Sequence, residues 1–464
     1  MSENFDAIII GSGQAGPFLA ARLSAAGRRV ALIERKFLGG TCVNTGCTPT
    51  KAMVACAKVA HTVREASYFG VHVPGEMRIS LAEIKSRADG ILLSSRESLK
   101  KMLADANCTV IYGQGKFISS HEVKVGAEIM SAEQIFINVG ARAATPKLPG
   151  LDDIEFLTNS TLLGLTELPG HLVIVGGGAV GVEFAQMFRR FGSEVTLVEM
   201  KAGLLQREDS AASSLVAELL QSEGVRLRLS AECISFSRTE GGVCVYVDCA
   251  AGDRDIQGSH VLLAMGRTPN TDDLGLEAAG VRCDSAGYIT VDEQLLTNIP
   301  HIWALGDCNR RGGFTHTAYN DFEIVAANLL DGGNRRVSDR ISARATYTDP
   351  PLAQIGMTED EARRTARELL IATRPMRRVA RAIEKGETFG LMKAVVDADT
   401  RRVLGAMIFG VGGDEAIHSI LDTMYADKPY TLLTNAVHIH PTVAELIPAL
   451  FGSLQPAERP NPTV

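Results

Sequence analysis

Two glycine-rich turns, set 165 residues apart in matching surroundings, constrain this 464-residue chain more than any other feature. An apolar run over 5–10 meets Gly11, Gly13 and Gly16; an apolar-periodic stretch over 17–26 and Gly27 follow; a second apolar run over 30–33 ends on Glu34. The order recurs: 172–175 meets Gly176, Gly178 and Gly181, a helical pattern runs to about Phe191, and the run 194–198 ends on Glu199. In each copy the acid stands 23 positions after the first glycine. A single G-x-G-x-x-G marks little more than a turn. Two copies with flanking strands and equal spacing mark two βαβ dinucleotide sites. The first glycine permits the tight turn, the second lets backbone approach a pyrophosphate, and the third lets helix pack on strand. The helix amides then face the anion.

Glu34 and Glu199 stand where a carboxylate accepts hydrogen bonds from ribose hydroxyls. A carboxylate there repels a 2′-phosphate, so Glu199 leans the second site toward NADH. Lys201 and Arg207 follow closely and soften that preference, which leaves NADPH open. The bland alternative for Glu199 is a solvated acid at a strand end.

Between the two copies lies Gly39-Gly40-Thr41-Cys42, then Cys47, Pro49 and Lys51. Thiols five positions apart are candidate metal ligands, but no second Cys or His pair with zinc spacing completes a site. They are also candidates for an accidental pair of core cysteines. A redox-active disulfide fits better. In a regular helix residues i and i+5 are on the order of 8–9 Å apart at Cα, whereas a disulfide tolerates at most about 7 Å. Residues 44–46 must therefore leave helical geometry if the cysteines bond, and Gly46 eases that bend. Pro49 suits the first turn of a helix continuing over 52–66. Both cysteines are expected at the positive end of that helix, which acidifies a thiol. The other seven cysteines show no such pattern and read as structural.

Composition bounds the rest. A net charge of −7 argues against nucleic-acid binding as the main business. No apolar run approaches the ~18–20 residues of a membrane span, and the N-terminus has no basic region followed by an apolar core. The expectation is a soluble, cytoplasmic, multidomain protein.

Gly-Gly-Thr-Cys-x4-Cys-x-Pro-x-Lys between two dinucleotide fingerprints resembles the flavin-dependent pyridine nucleotide–disulfide oxidoreductases, the class of dihydrolipoamide dehydrogenase, glutathione reductase and mercuric reductase. Residues 297–307, ending on Gly306-Asp307, resemble the class's second FAD motif, and 438–445, from His438 through His440 to Glu445, its C-terminal motif. The likeness runs nearly the whole length. It implies an α/β chain of two Rossmann-like dinucleotide-binding domains, for FAD and NAD(P), plus a C-terminal α+β dimerisation domain. The implied limits are 1–148 and 269–340 for FAD, 149–268 for NAD(P) and 341–464 for the interface. The first FAD part closes near Gly140, and the NAD(P) domain near Gly266 with a partial echo of that closure.

The resemblance also implies roles. Gly11, Gly13, Gly16, Glu34, Gly40, Thr41, Gly140, Gly306 and Asp307 would hold FAD, with Asp307 at its ribityl or pyrophosphate region. Gly176, Gly178, Gly181, Glu199 and Gly266 would hold the nicotinamide cofactor. Electrons would pass from the nicotinamide through flavin to a Cys42–Cys47 disulfide, Cys47 forming the charge-transfer thiolate and Cys42 exchanging with substrate. Lys51 and Glu183 match the class's ion pair beside the flavin; the alternatives are a solvated lysine and a helix-surface acid. His440 makes sense on its own chemistry. Thiol–disulfide exchange needs a group that shuttles one proton near neutral pH, and Glu445, past Pro441, is placed to fix its tautomer. His438 reads as a buttress. In the class this histidine reaches the other subunit's disulfide, so a homodimer is implied.

The substrate implied is a small disulfide or lipoyl group, with a lipoyl protein as a candidate partner. Mercuric reductases usually add a C-terminal cysteine pair; here no cysteine follows Cys308, and no N-terminal CxxC domain is present. Pro351 stands where the class more often has an acid, and Thr48 replaces its usual aliphatic residue. The competing readings are a flavin diaphorase or oxidase serving quinones, metals or O2, and a redox-sensing subunit that binds a partner. Two local expectations complete the reading: a helix over 359–367 with acidic start and basic end, and a Pro-rich tail, 455–464, ordered only by docking.

Overall fold

The computed structural model describes residues 3–248 and 252–458. The chain is α/β, built around three main sheets with a three-stranded and a two-stranded sheet beside them.

The first sheet orders its strands Thr109–Tyr112, Val30–Glu34, Glu3–Ile10, Glu128–Ile137, Glu122–Val125, Gly115–Phe117, with Ile302–Ala304 parallel to Glu128–Ile137. Glu3–Ile10 pairs in parallel with both of its neighbours. Its apolar run does not alternate with polar residues because both faces are covered: Ile8 and Ile10 join one core, Ala7 and Ile9 the other. The strand at 302–304 arrives after the second fingerprint has been spent, so the first sheet is completed by distant chain.

The second fingerprint opens a four-stranded parallel sheet ordered Arg226–Arg228, Glu194–Val198, His171–Val175, His260–Leu263. A three-stranded antiparallel sheet accompanies it. The two closures found in sequence meet: Ala141–Ala143 pairs antiparallel with Arg267–Pro269, in the register Ala143 to Arg267. The third sheet is antiparallel and ordered Ala343–Thr346, Leu352–Gly356, Val403–Phe409, Leu391–Asp397, Leu369–Pro375, Gln455–Pro456. No helix among the described residues is long and apolar enough to cross a membrane.

Several local expectations need correction. The helix expected over 359–367 stops early, as Glu359–Arg363, because the chain must extend to pair Leu369–Pro375 with Leu391–Asp397. Its start holds: Thr358 and Glu361 form a reciprocal cap. The active-segment helix ends at Arg64 rather than 66. At the tail, Gln455–Pro456 docks on the strand edge at Leu370–Ile371, while 459–464 lies outside the described residues. Of the cysteines read as structural, Cys108, Cys244 and Cys308 are buried, but Cys233 and Cys283 are exposed; Cys249 lies outside the described residues.

Candidate active site

The cysteine segment folds as two helices with a break between them. Gly40–Thr45 forms the first and Cys47–Arg64 the second, with Pro49 in its first turn. Gly46 carries the break, and any Cβ there would lie 2.8 Å from the Thr41 carbonyl oxygen. The bend inferred from spacing is thus a helix–helix junction. Cys42 sits inside the first helix and Cys47 is the first residue of the second.

The two cysteines are unbridged, and both sulfurs face the hydroxyl of Thr315. The Thr315 hydroxyl stands 3.1 Å from Cys42 Sγ and 3.2 Å from Cys47 Sγ. The neighbouring Cys42 thiol brings the Cys47 thiol down to about 6 against the opposing effect of burial, with Thr315 and Lys51 adding to it. The same contact, burial and the Cys47 charge push the Cys42 thiol well up. The expectation that both thiols are acidified is therefore corrected. Only Cys47 occupies the helix start.

Lys51 follows one turn after Cys47. Its Nζ lies 2.7 Å from Glu183 Oε2 and 4.7 Å from the centre of the Tyr347 ring. Glu183 belongs to the Ala179–Phe191 helix of the second fingerprint and is 6% exposed; its Oε1 accepts the Tyr347 backbone N–H at 2.8 Å. Three and seven residues on, Gln186 and Arg190 grip the same loop. Gln186 exchanges two hydrogen bonds with the Asp349 backbone. Arg190 binds Asp349 at 2.6 Å and Glu223 at 2.8 Å, and Lys58 reaches Asp349 at 2.8 Å.

Glu34 and Glu199 do the same work in their two turns. Glu34 accepts the N–H groups of Ser12 and Lys36; Glu199 accepts those of Gly177 and Lys201. Each pair of donors is displaced by the same 165 residues. In the first turn a Cβ on Gly11 would lie 2.3 Å from the Asn138 carbonyl oxygen, and one on Gly16 would lie 2.4 Å from that of Gly11. In the second, Gly176 and Gly181 are equally confined, whereas Gly178 faces open space.

A cleft of about 1470 Å³ runs from Gly11, Gly13 and Glu34 past Gly40, Thr41 and Gly140 to both cysteines, Lys51 and Glu183, with Gly306, Asp307 and Thr315 on its other wall. Gly266 lies beside it at the paired closure and is not among its walls. His440 is also absent from the cleft. It is 73% exposed, with Nδ1 2.8 Å from Glu445 Oε2. His438 is tied to the Ala444 carbonyl oxygen at 2.7 Å, a buttressing contact. Val437 and Ile439 beside them are almost bare.

Residues 5–321 match the family model described as "Pyridine nucleotide-disulphide oxidoreductase", and residues 342–450 match that family's dimerisation domain. The chain belongs to this family. It is 36% identical to the probable pyridine nucleotide-disulfide oxidoreductase RclA of Escherichia coli K12 over 458 residues, 97% of this chain and 99% of that one. It is 31% identical to the dihydrolipoyl dehydrogenase of Chlamydia trachomatis serovar D, covering 96% of each. Among solved structures, the Cu(II) complex of the HOCl-induced flavoprotein disulfide reductase RclA from Escherichia coli superposes with a TM-score of 0.89 at 35% identity, over 97% of this chain and 99% of that one.

As a pyridine nucleotide–disulphide oxidoreductase, the protein is an enzyme that uses FAD and a pyridine nucleotide, and it carries the family's dimerisation domain. The cleft fits FAD by its own chemistry. The buried Arg267 Nε has no hydrogen-bond partner and stands 3.3 Å from Asp307 Oδ2. Burial pushes the Asp307 carboxyl up, with Arg267 opposing. A cation with an unfilled donor beside a carboxylate facing the cleft suits a ligand that carries both phosphate and hydroxyl groups.

Sequence reasoning missed Thr315, Tyr347, Asn138, Arg267 and the Arg190–Asp349 pair. Only Thr315 left a local trace, as a hydroxyl residue after Gly312-Gly313 at the mouth of the Thr315–Leu330 helix.

Proposed function

We propose that the enzyme oxidises NADH and passes the electron pair out through Cys42 to a small disulfide. The observation that carries this is the pair of sulfurs at the end of the cleft: Cys47 acidified beside Lys51, Cys42 held as a thiol against it. NADH is favoured because the Glu199 carboxylate occupies the ribose end of the second turn, where it repels an added phosphate. The division into 1–148 and 269–340 for FAD, 149–268 for the nicotinamide nucleotide and 341–464 for the interface belongs to the same reading.

FAD, when bound, supplies the conversion of a hydride into an electron pair for the disulfide. The rest is work for side chains. Gly11, Gly13, Gly16, Glu34, Gly40, Thr41, Gly140, Gly306 and Asp307 hold that cofactor, and Gly176, Gly178, Gly181, Glu199 and Gly266 hold the nucleotide. Lys51, oriented by Glu183, favours negative charge at Cys47 and at the neighbouring ring. Cys42, as thiolate, attacks one sulfur of the substrate and displaces the other as a thiolate. Cys47 then attacks Cys42 Sγ, releases the second product thiolate and restores the intramolecular disulfide. His440 of the partner subunit, held by Glu445, carries to the departing thiolate the proton the cysteines lose. The balance is NADH, one proton and one disulfide giving NAD+ and two thiols.

The test is anaerobic NADH oxidation by the FAD-loaded enzyme with lipoamide or a small linear disulfide, with Cys42→Ser beside it. Turnover that collapses in the variant supports the reading; turnover the variant retains sinks it. A second reading is favoured by likeness to a flavoprotein disulfide reductase solved with Cu(II): here a thiophilic metal ion is the oxidant. NADH oxidation driven by Cu(II) but by neither disulfide would select it.

A further inference from the structure

We propose that Thr315 is a catalytic residue of the cysteine pair, its hydroxyl moving the negative charge between Cys47 and Cys42. This rests on the disulfide reading above and deepens it. That reading has a gap: the charge settles on Cys47, yet the sulfur that must attack the substrate is Cys42.

The geometry supplies a way across. Thr315 Oγ1 donates to Cys42 Sγ at 3.1 Å and lies 3.2 Å from Cys47 Sγ, where either atom can donate, and no other described residue hydrogen-bonds to it. A hydroxyl has one proton to give and lone pairs to receive. As placed, Thr315 donates to Cys42, the arrangement that suits a charge on that sulfur. With the charge on Cys47, rotation about the C–O bond turns the hydroxyl to donate there and to accept from the Cys42 thiol. If the Cys42 proton passes to the Thr315 oxygen while the Thr315 proton passes to Cys47, the charge stands on Cys42 and the hydroxyl is restored. No outside base takes part and no net proton is gained. The proton now on Cys47 leaves for the departing substrate thiolate before Cys47 resolves the mixed disulfide.

The hydroxyl is held in place from both sides. The Phe314 N–H donates to Thr317 Oγ1 at 3.1 Å, and that hydroxyl donates back to the Phe314 carbonyl at 2.8 Å. His316 Nε2 lies 2.8 Å from the Ala343 carbonyl oxygen, and its ring stacks on Phe314 with centroids 5.3 Å apart. Thr315 thus sits between two anchored neighbours and faces the sulfurs.

Thr315→Val keeps the shape and removes the hydroxyl; Thr315→Ser keeps the hydroxyl. The holoenzyme, reduced with excess dithiothreitol and desalted anaerobically, is titrated by thiolate ultraviolet absorbance and by the rate of iodoacetamide alkylation at each cysteine. A hydrogen bond to a charged group is worth enough to move a titration by about one unit, roughly tenfold in thiolate fraction. In Thr315→Val the first thiolate midpoint should rise by about that amount, and the share of alkylation falling on Cys42 should drop. Thr315→Ser should restore both. An unchanged midpoint and unchanged partition in Thr315→Val would overturn the proposal, as would a shift that serine fails to reverse. If the valine variant loses FAD, Thr315→Ala is read by the same two signals. Neither signal needs a substrate, so retained turnover in Cys42→Ser would sink the disulfide reading while leaving this titration to be judged separately.

Discussion

Lys51 Nζ lies 2.7 Å from Glu183 Oε2, and the remaining oxygen of that buried carboxylate is taken by the Tyr347 N–H. The pair therefore joins the helix that begins at Cys47, the helix of the second fingerprint and the first strand region of the interface sheet. A cation held this way cannot drift from the sulfur it influences. Lys51→Met removes the charge that helps acidify Cys47 and leaves Glu183 buried without its ion partner. Flavin reduction by NADH, followed by stopped flow, should slow by about 10²-fold, the scale seen when one preorganised electrostatic contact is lost. Glu183→Gln, which still accepts the Tyr347 N–H, should be milder. Equal rates in Lys51→Met and the parent enzyme would remove Lys51 from the mechanism.

In the proposed function the choice of nucleotide rests on Glu199. Its two oxygens are aligned by the Gly177 and Lys201 N–H groups, which fixes the charge at the end of the second turn, where on the proposed reading it would meet a 2′-phosphate. The ratio of kcat/KM for NADH over NADPH should exceed tenfold. Glu199→Gln should reduce that ratio by about tenfold, ~1.4 kcal/mol for one charge contact. A parent enzyme that prefers NADPH would show that Lys201 and Arg207 outweigh the carboxylate.

Much of this architecture was legible because its signals are local. The two fingerprints follow from short periodic runs and glycines at fixed offsets, and Gly46 betrays the break that Cys42 and Cys47 require. Glu183 was reached by resemblance alone, since nothing in its helix marks it apart from an ordinary surface acid. Arg190 and Asp349 left no trace: their contact spans 159 positions and exists only once two domains pack. The helix over 359–367 failed for a related reason. Its charge pattern was sound as far as Arg363, where strand pairing at Leu369 overrode it.

His440 depends on Glu445 for orientation. The carboxylate stands 2.8 Å from Nδ1, which in the proposed mechanism leaves Nε2 for the chemistry. Glu445→Gln should reduce disulfide-linked kcat by about 10²-fold or less, since positioned acid–base catalysis is worth ~10²–10⁴ in full. His440→Gln should fall further. In both, single-turnover reduction of the flavin by NADH should be unchanged, because that half-reaction moves no proton through the imidazole. If His440→Gln instead slowed flavin reduction and left disulfide turnover intact, the assignment would fail.

The Arg190 cluster predicts both a stability loss and its pH window. Arg190 is 5% exposed at its side chain and holds Asp349 and Glu223, each 13% exposed. Removing one member strands a buried charge, which costs on the order of 3 kcal/mol. Arg190→Leu should therefore lower the urea midpoint of the holoenzyme more than a surface Arg29→Leu change does. Burial acts against the Asp349 charge, but Arg190 and Lys58 outweigh it and hold its carboxyl below the ordinary range. A carboxyl depressed in the folded state binds fewer protons there than in the unfolded chain. Its stabilisation is complete above the ordinary aspartate value of about 3.9 and is lost as pH falls through the lower folded value. Asp349→Asn should accordingly be less stable than the parent at neutral pH, with the gap closing in acid below that point. A gap that stayed constant down to the acid transition would show that Asp349 contributes through its backbone contacts with Gln186 and not through its charge.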